Sequence, residues 1–399
     1  MKELDTKLNA MCRISEVGVS DVISGGSDVD ETFVSNYLKQ IEFRNGKYYV
    51  PLPLKEDHKE LQSNLKLCLR RLDDVVNRLK RIGLLGAYCD VLGEHLSEGY
   101  TEEVPASENP WDEEGSHFLA HFFVLKDSET TPLRIVFAAN AGRVSLNDCL
   151  ETGPCLLKNL HDLLIRFRVH NIALVADIAR AFLSIGLLEK HRNLVKFLWF
   201  RNNDPSQDIV VYRYTTVVFG NTSSPFSLGI VLQKHLEQFE SDTASDLNDK
   251  LYMDNLVTGV DTEQQALNYY YTARAIMKAG GFNLRQWLSN SDDLNRITEI
   301  EGTQTKSTTV SVLGQLWNAE MDTITFQKKS LVPSDSEKVT KRSVLSSVAS
   351  VFDPTGLLTP VTIKARLYVS HLWQEMYGWD TELPPAESDT WRAIAGSDQ

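Results

Sequence analysis

The sequence predicts an α+β fold of two or three subdomains, and three observations carry that prediction. Segments of helical period and short β-type runs follow one another in mixed order along the chain. A length of 399 residues exceeds what one small core fills. A composition 42% hydrophobic and 24% charged is that of a globular protein, which excludes disorder of the whole chain.

Residues 1–33 are polar and acidic and include the turn-prone GGSDVD, so residues 1–40 read as a flexible acidic lead-in. KYYVPLPLKEDH is a short β-type run broken by Pro51 and Pro53. Over residues 59–82, Leu61, Leu65, Leu69, Leu72, Val76 and Leu79 recur at helical spacing, with six cations around them. A buried face with a solvated basic rim is the first reading of that helix, and a phosphate-facing helix the second. Residues 97–116 hold seven acids and no Lys or Arg, and read as a loop. HFLAHFFVLKD and TPLRIVFAANA are two β-rich runs around a polar turn, a hairpin.

LLKNLHDLLIRFRVH has helical period, and NIALVADI is a continuous apolar strand ending near Asp177. LVKFLWF and IVVYRYTTVVF are β-type, a helix follows Ser224, and LYMDNLVTG reads as a hairpin turning at Asp254-Asn255. LNYYYTARAIMKAGG is a helix stopped by Gly280-Gly281. Beyond residue 330 the chain reads as two helices around a Pro/Gly turn. The domain reading is therefore 1–40, 41–160, 161–330 and 331–399.

Lys and Arg number 41 against 54 Asp and Glu, a net charge of −13, which argues at first against a nucleic-acid partner. Position changes that inference. Residues 1–33 carry net −4, residues 97–116 net −7 and residues 379–399 net −4, leaving +2 on the other 325 residues. Five widely spaced cysteines without a C-x-x-C pair fit a reduced, intracellular, cytoplasmic protein. The N-terminal residues lack a signal-peptide core and no run of 18 apolar residues occurs, so no membrane partner is expected.

Asp177 and Asp254 stand out as lone acids in apolar surroundings. Each alone has a bland reading as a helix cap or turn residue. If their strands are neighbours, the two carboxylates converge into hard oxygen ligands of the kind Mg²⁺ takes, and paired Mg²⁺ ions serve phosphoryl transfer.

The run from Asp177 through IARAF resembles the first catalytic motif of reverse transcriptases, and Tyr252-Met253-Asp254-Asn255 resembles their Y-x-D-D box. FGNTSSPF, between them, resembles the nucleotide-facing motif. KYYVPLPLKEDH, RFRVHNIALVADI, GGFNLRQWLSN and KRSVLSSVASVFDPTGLLTPV extend the resemblance, in order, to the polyprotein of BEL/Pao-type long-terminal-repeat retrotransposons, over about residues 41 to 380. The resemblance implies a right-hand polymerase: fingers and the start of the palm over 41–160, palm over 161–330, and a helical thumb or connection over 331–399. It implies an RNA-directed DNA polymerase using two Mg²⁺ ions held by Asp177 and Asp254, with a template–primer of RNA or DNA and deoxynucleoside triphosphates as partners. Lys126, Arg134, Phe182, Gly220, Ser224 and Pro225 match nucleotide-binding positions, Phe182 being the aromatic under the sugar. Leu313, Gly314 and Trp317 match the hairpin that grips the primer. Lys328, Lys329, Lys338, Lys341 and Arg342 are candidate phosphate contacts. For each of these the ordinary reading, a core residue, a turn or a solvated cation, stays open.

Three positions depart from the pattern. Asn255 replaces the second acid of the Y-x-D-D box, Ala138 stands where an acid is usual, and Gln286 where a Lys is usual. Together they lead to a weakened or decayed polymerase, the alternative being a non-catalytic nucleic-acid-binding or structural remnant with the same fold. Asp353-Pro354-Thr355-Gly356 interrupts the D-T-G of an aspartic protease and reads as a turn. P-loop, zincin and serine-hydrolase motifs are absent from the sequence.

Overall fold

The computed structural model describes residues 28–61, 63–125, 133–326 and 338–397. The chain divides into two compact units: residues 1–156 with 180–238, and residues 157–179 with 239–399. These units interleave along the sequence, whereas the sequence reading placed its boundaries end to end.

In the first unit the helix α1, Asp28–Gln40, replaces the end of the expected flexible lead-in. Its Tyr37 is buried, and the hydroxyl donates to the Pro51 carbonyl at 3.1 Å. An ordered hydrogen bond from a buried ring is what pins this helix. Next, Glu42–Arg44 (β1) and Lys47–Val50 (β2) form a hairpin through Asn45-Gly46, both at positive φ, the turn that matches strand twist. Pro51 then ends β2. Helix α2, Leu65–Ile82, starts six residues later than its periodicity predicts and buries Cys68, Leu72, Val75, Val76 and Leu79. Gly83, in the left-handed region, closes it.

The acidic stretch 97–116 is not simply a loop. Thr101–Glu103 (β3) pairs with Ile209–Tyr214 (β9), and Glu102 accepts from Arg213 Nε at 2.7 Å. Local composition signalled a loop, but a distant arginine neutralises the acids. His121–Leu125 (β4) and Leu133–Phe137 (β5) form the expected hairpin. Gly186–Leu187 (β7) pairs in parallel with β2, and Lys196–Phe200 (β8) completes a sheet with β9 and β3, its Phe197 and Trp199 filling the core with Phe137 and Tyr214.

His121 lies inside that core. Its ring accepts from the Tyr88 hydroxyl at Nδ1 and donates from Nε2 to the Leu198 carbonyl at 3.0 Å. Burial lowers its pKa to about 4, because a charged imidazole there loses its hydration. A depressed base binds its proton first in the unfolded chain. Stability should therefore fall as pH drops below about 6.5, reaching a loss of about 3 kcal/mol by pH 4 from this residue. Urea midpoints followed from neutral to mildly acidic pH test this. A flat profile across that window would mean the imidazole is not buried as neutral.

In the second unit a four-stranded antiparallel sheet runs in the order β10, β11, β6, β12, these being Leu251–Tyr252, Asn255–Val260, Ile172–Ile178 and Leu284–Ser289. Glu263–Ala279, opened by a capping box at Thr262 and Gln265, packs against this sheet. A second sheet joins Thr309–Val312 (β13), Gln315–Asn318 (β14) and Thr323–Thr325 (β15). Residues Lys341–Ala349, Thr359–Gln374 and Pro385–Ser397 are helices around Trp391, Tyr368 and Leu372, one helix more than the sequence predicts. Among the described residues no helix is long and apolar enough to cross a membrane.

Candidate active site

Strand β6 is buried along its length except near its C-terminal end, where Asp177 is half-buried. Apolar residues hold the strand in the sheet interior, so its acid emerges only where the sheet ends. Strands β10 and β11 carry Asp254 to the same end through a two-residue turn, Met253-Asp254. Met253 has φ +58°, a left-handed conformation that a non-glycine residue adopts at a cost.

Asn255 is the cross-strand partner of Asp177, and the Ile178 amide donates to the Asp254 carbonyl at 2.7 Å. This pairing brings two acids 77 positions apart in sequence to one sheet edge, as the sequence reading required of neighbouring strands. Asn255 Nδ2 donates to Asp254 Oδ1 at 3.0 Å. An amide therefore occupies the place where the Y-x-D-D pattern has a second carboxylate.

Arg285, which sequence reasoning did not single out, is the partner of Asp177 on the opposite strand. Its Nε lies 3.5 Å from Asp177 Oδ1 as an ion pair, yet both atoms are buried without a hydrogen bond. Burial pushes the Asp177 carboxyl above its ordinary pKa, and the charge of Asp254 adds to that, while Arg285 pulls it back. Beyond Arg285 the register slips, with Leu288 opposite Val175, so β12 carries one extra residue. Gln286 sits in that bulge at φ +53°, and Trp287 exchanges backbone bonds with Thr303 and Thr305 instead. The sequence carried a signal: Leu-Arg-Gln-Trp puts two polar residues between two buried ones, which breaks a strand's period of two.

A cleft of about 80 Å³ is lined by Asp177, Asn255, Gln286, Thr305, Ser311 and Leu313, among others. The β13–β14 hairpin thus reaches the same cleft as Asp177 through Leu313. Gly314, at φ +94°, faces the Phe352 ring, and a Cβ there would stand 2.3 Å from it. Trp317 does not face this cleft. It is fully buried against Phe167, so its side chain supports the hairpin and presents no surface to a primer. Asp353 Oδ2 accepts from the Leu358 amide at 2.7 Å, the turn expected of Asp353-Pro354-Thr355-Gly356.

The residues matched to nucleotide binding belong to the first unit. Phe182 is buried and meets Phe219 edge-on at 4.5 Å, beside Gly220. Gly220 has φ +107°, and a Cβ would stand 2.5 Å from the Phe137 carbonyl, so only glycine fits. Ser224 donates to the Val218 carbonyl at 2.7 Å at the start of the helix Ser224–Leu236, with Pro225 in its first turn. Arg134 is exposed on β5. Lys126, Lys328 and Lys329 lie outside the described residues. Lys338 and Arg342 are paired with Glu382 and Asp380, and Lys341 is buried against Trp373. Intramolecular partners therefore occupy these three candidate phosphate contacts. Among the described residues no group of three or more His, Cys, Asp or Glu side chains forms a metal-ligand cluster.

Residues 340–397 match the family model described as the Pao retrotransposon-like RNaseH-like domain. Sequence alone had read this segment as thumb or connection. No curated protein matches the chain. The fold is similar to that of a foamy viral protease-reverse transcriptase in complex with an RNA/DNA hybrid, with a TM-score of 0.50 and 10% identity. That likeness covers 94% of this chain and 44% of the viral one, so the chain spans less than half of its length. A foamy viral protease-reverse transcriptase in complex with double-stranded DNA gives a TM-score of 0.49 at 10% identity, over 93% of this chain and 60% of the other. At such identity the likeness is one of fold, and that fold is polymerase-like. The family match and the fold likeness are both to proteins of retroelements.

Proposed function

We propose that this chain is the reverse transcriptase region of a BEL/Pao-type retrotransposon polyprotein, a right-hand RNA-directed DNA polymerase whose palm is the four-stranded sheet β10-β11-β6-β12. The observation that carries this reading is the convergence of Asp177 and Asp254 at one end of that sheet. Two carboxylates brought together are hard oxygen donors of the kind that suits Mg²⁺. Asp177 and Asp254 would hold the two ions, which when bound neutralise charge developing on the transferring phosphate.

In this reading the partners are a template–primer and deoxynucleoside triphosphates. A bond forms between the primer 3′-oxygen and the α-phosphorus as the bond to pyrophosphate breaks, and the hydroxyl proton passes to water. The chain contributes position and electrostatics to that step. Asp177 and Asp254 supply negative charge on a rigid edge, and Arg285 restrains Asp177. Phe182 would stand against the sugar and exclude a 2′-hydroxyl. Leu313 would contact the primer, and Gly220 would leave the nucleotide-facing backbone close to its neighbour.

A non-catalytic remnant is the second reading, and the bond from Asn255 Nδ2 to Asp254 Oδ1 favours it, because the amide takes a lone pair that a cation would use. Primer extension on an RNA template separates the two. The Asn255→Asp variant should extend faster than wild type by about 10-fold or more, since it restores an acid at the cluster. Hybrid binding by both proteins with no incorporation by either would establish the remnant.

A further inference from the structure

The outer face of helix α2 presents Lys66, Arg70, Arg71, Arg78, Lys80 and Arg81 with two acids, Asp73 and Asp74, for a net charge of +4 in a chain of net −13. Among the described residues none of the six cations forms a salt bridge with an acid. Some cations elsewhere are matched by acids, as Arg168 with Asp322, Arg213 with Glu102 and Arg342 with Asp380 show. We infer that this face is a docking surface for the phosphate backbone of a nucleic-acid duplex. The inference rests on the nucleic-acid partner of the proposed function and locates a contact which that proposal leaves unassigned.

Internal stability accounts for only part of the pattern. Lys80 and Arg81 lie in the last turn, where the helix dipole favours cations. Lys66 lies in the first turn, where the dipole opposes it, and no acid offsets it there. Lys66 and Arg70 are a like-charge pair four residues apart, which destabilises a helix. The helix holds through its buried face, of which Leu72 and Leu79 are the most enclosed members. Asp73 and Asp74 lie three or four residues from Arg70, Arg71 and Arg78 and offset part of that repulsion, while Lys66, Lys80 and Arg81 have no acid at such spacing in the helix.

The spacing fits a backbone and not a point ligand. Lys66 to Arg81 spans fifteen residues, about 22 Å of helix. That length matches the rise of about six nucleotides of one strand. The cations are spread around the whole outer face, so neighbouring phosphates meet separate side chains, and no single pocket gathers them. Such contacts set position without reading sequence. Arg78 also stacks over Phe123 at 4.8 Å, which ties the face to β4.

The test is fluorescence anisotropy of a labelled RNA/DNA hybrid, comparing the full chain with a variant carrying Lys66→Gln, Arg70→Gln, Arg71→Gln, Lys80→Gln and Arg81→Gln. Arg78 is kept because it packs on Phe123. With salt varied from about 50 to about 200 mM, the variant should bind about 100-fold more weakly near 100 mM and show a log–log salt slope shallower by about 3. The urea midpoint should not fall, because the changed side chains are exposed. Identical slope and affinity in the two proteins would show that the cations are merely solvated and would overturn the inference. A wild type that binds no hybrid would overturn the proposed function itself. If a labelled polyglutamate peptide binds this face more tightly than the hybrid, the face serves an acidic protein segment, and the duplex assignment fails.

Discussion

Replacing Asp177 with Asn should abolish nucleotide incorporation, by about 10³-fold or more, while the fold and hybrid binding persist. The substitution keeps the side chain's shape and removes only its charge. Burial and the neighbouring Asp254 already push the Asp177 carboxyl toward its neutral form, so the folded state gives up little with that charge. An acid whose pKa is raised by folding subtracts stability as pH rises above its unfolded pKa, and the subtraction is complete once pH exceeds the raised value. At neutral pH the Asn variant should therefore be at least as stable as wild type in thermal unfolding. Arg285 Nε is buried beside Asp177 Oδ1, and the Asn side-chain oxygen would keep an acceptor at that place. A variant that keeps full incorporation would remove Asp177 from catalysis. A variant that unfolds would instead identify Asp177 as a structural residue.

The second large effect concerns Trp317. Its side chain is fully buried, meets Phe167 edge-on at 5.2 Å, and donates from Nε1 to Asp322 Oδ1 at 3.0 Å. Asp322 is also bound by Arg168, whose Nη2 donates to Oδ2 at 2.9 Å. The same core contains Val175 of β6 and Val257 of β11, the two strands that bring the acids together. Trp317→Ala should cost about 3–5 kcal/mol, from lost burial and the cavity left behind. Trp317→Phe should cost about 1–2 kcal/mol, since it keeps much of the volume but strands the Asp322 bond. Urea unfolding measures both. If the Ala variant lies within about 1 kcal/mol of wild type, the indole is not a core element.

Several parts of the site were legible because their signals are local. An apolar run ending near an acid marks a central strand and its exit, which located Asp177. Apolar flanks around Asp254-Asn255 mark a hairpin turn. Gly220 and Gly314 were matched by motif, and their positive φ and close neighbours show why glycine stands there. Arg285 escaped notice because an arginine in a strand carries no mark of what lies across from it. Trp317 was read as a primer contact because an aromatic in a hairpin looks the same facing a ligand or a core. The acids of residues 97–116 read as a loop because the arginine that neutralises Glu102 lies 111 positions away.

By itself the sequence determined most kinds of element, the turn at Asp254-Asn255, the two lone acids that the sheet brings together, and the absence of a second acid at position 255. These follow from periodicity, turn chemistry and residue type, which act over a few neighbouring residues. The charge arithmetic belongs here too, since it separated acidic edges from a near-neutral middle. Only the tertiary structure decided that Asn255 lies opposite Asp177, that Arg285 flanks it on the other strand, and that Gln286 sits in a bulge. It alone showed that Lys338 and Arg342 are occupied by acids while the cations of α2 are not. The reason is physical. Pairing between strands and between charges depends on which distant segments share an edge, and burying the common apolar core sets that arrangement.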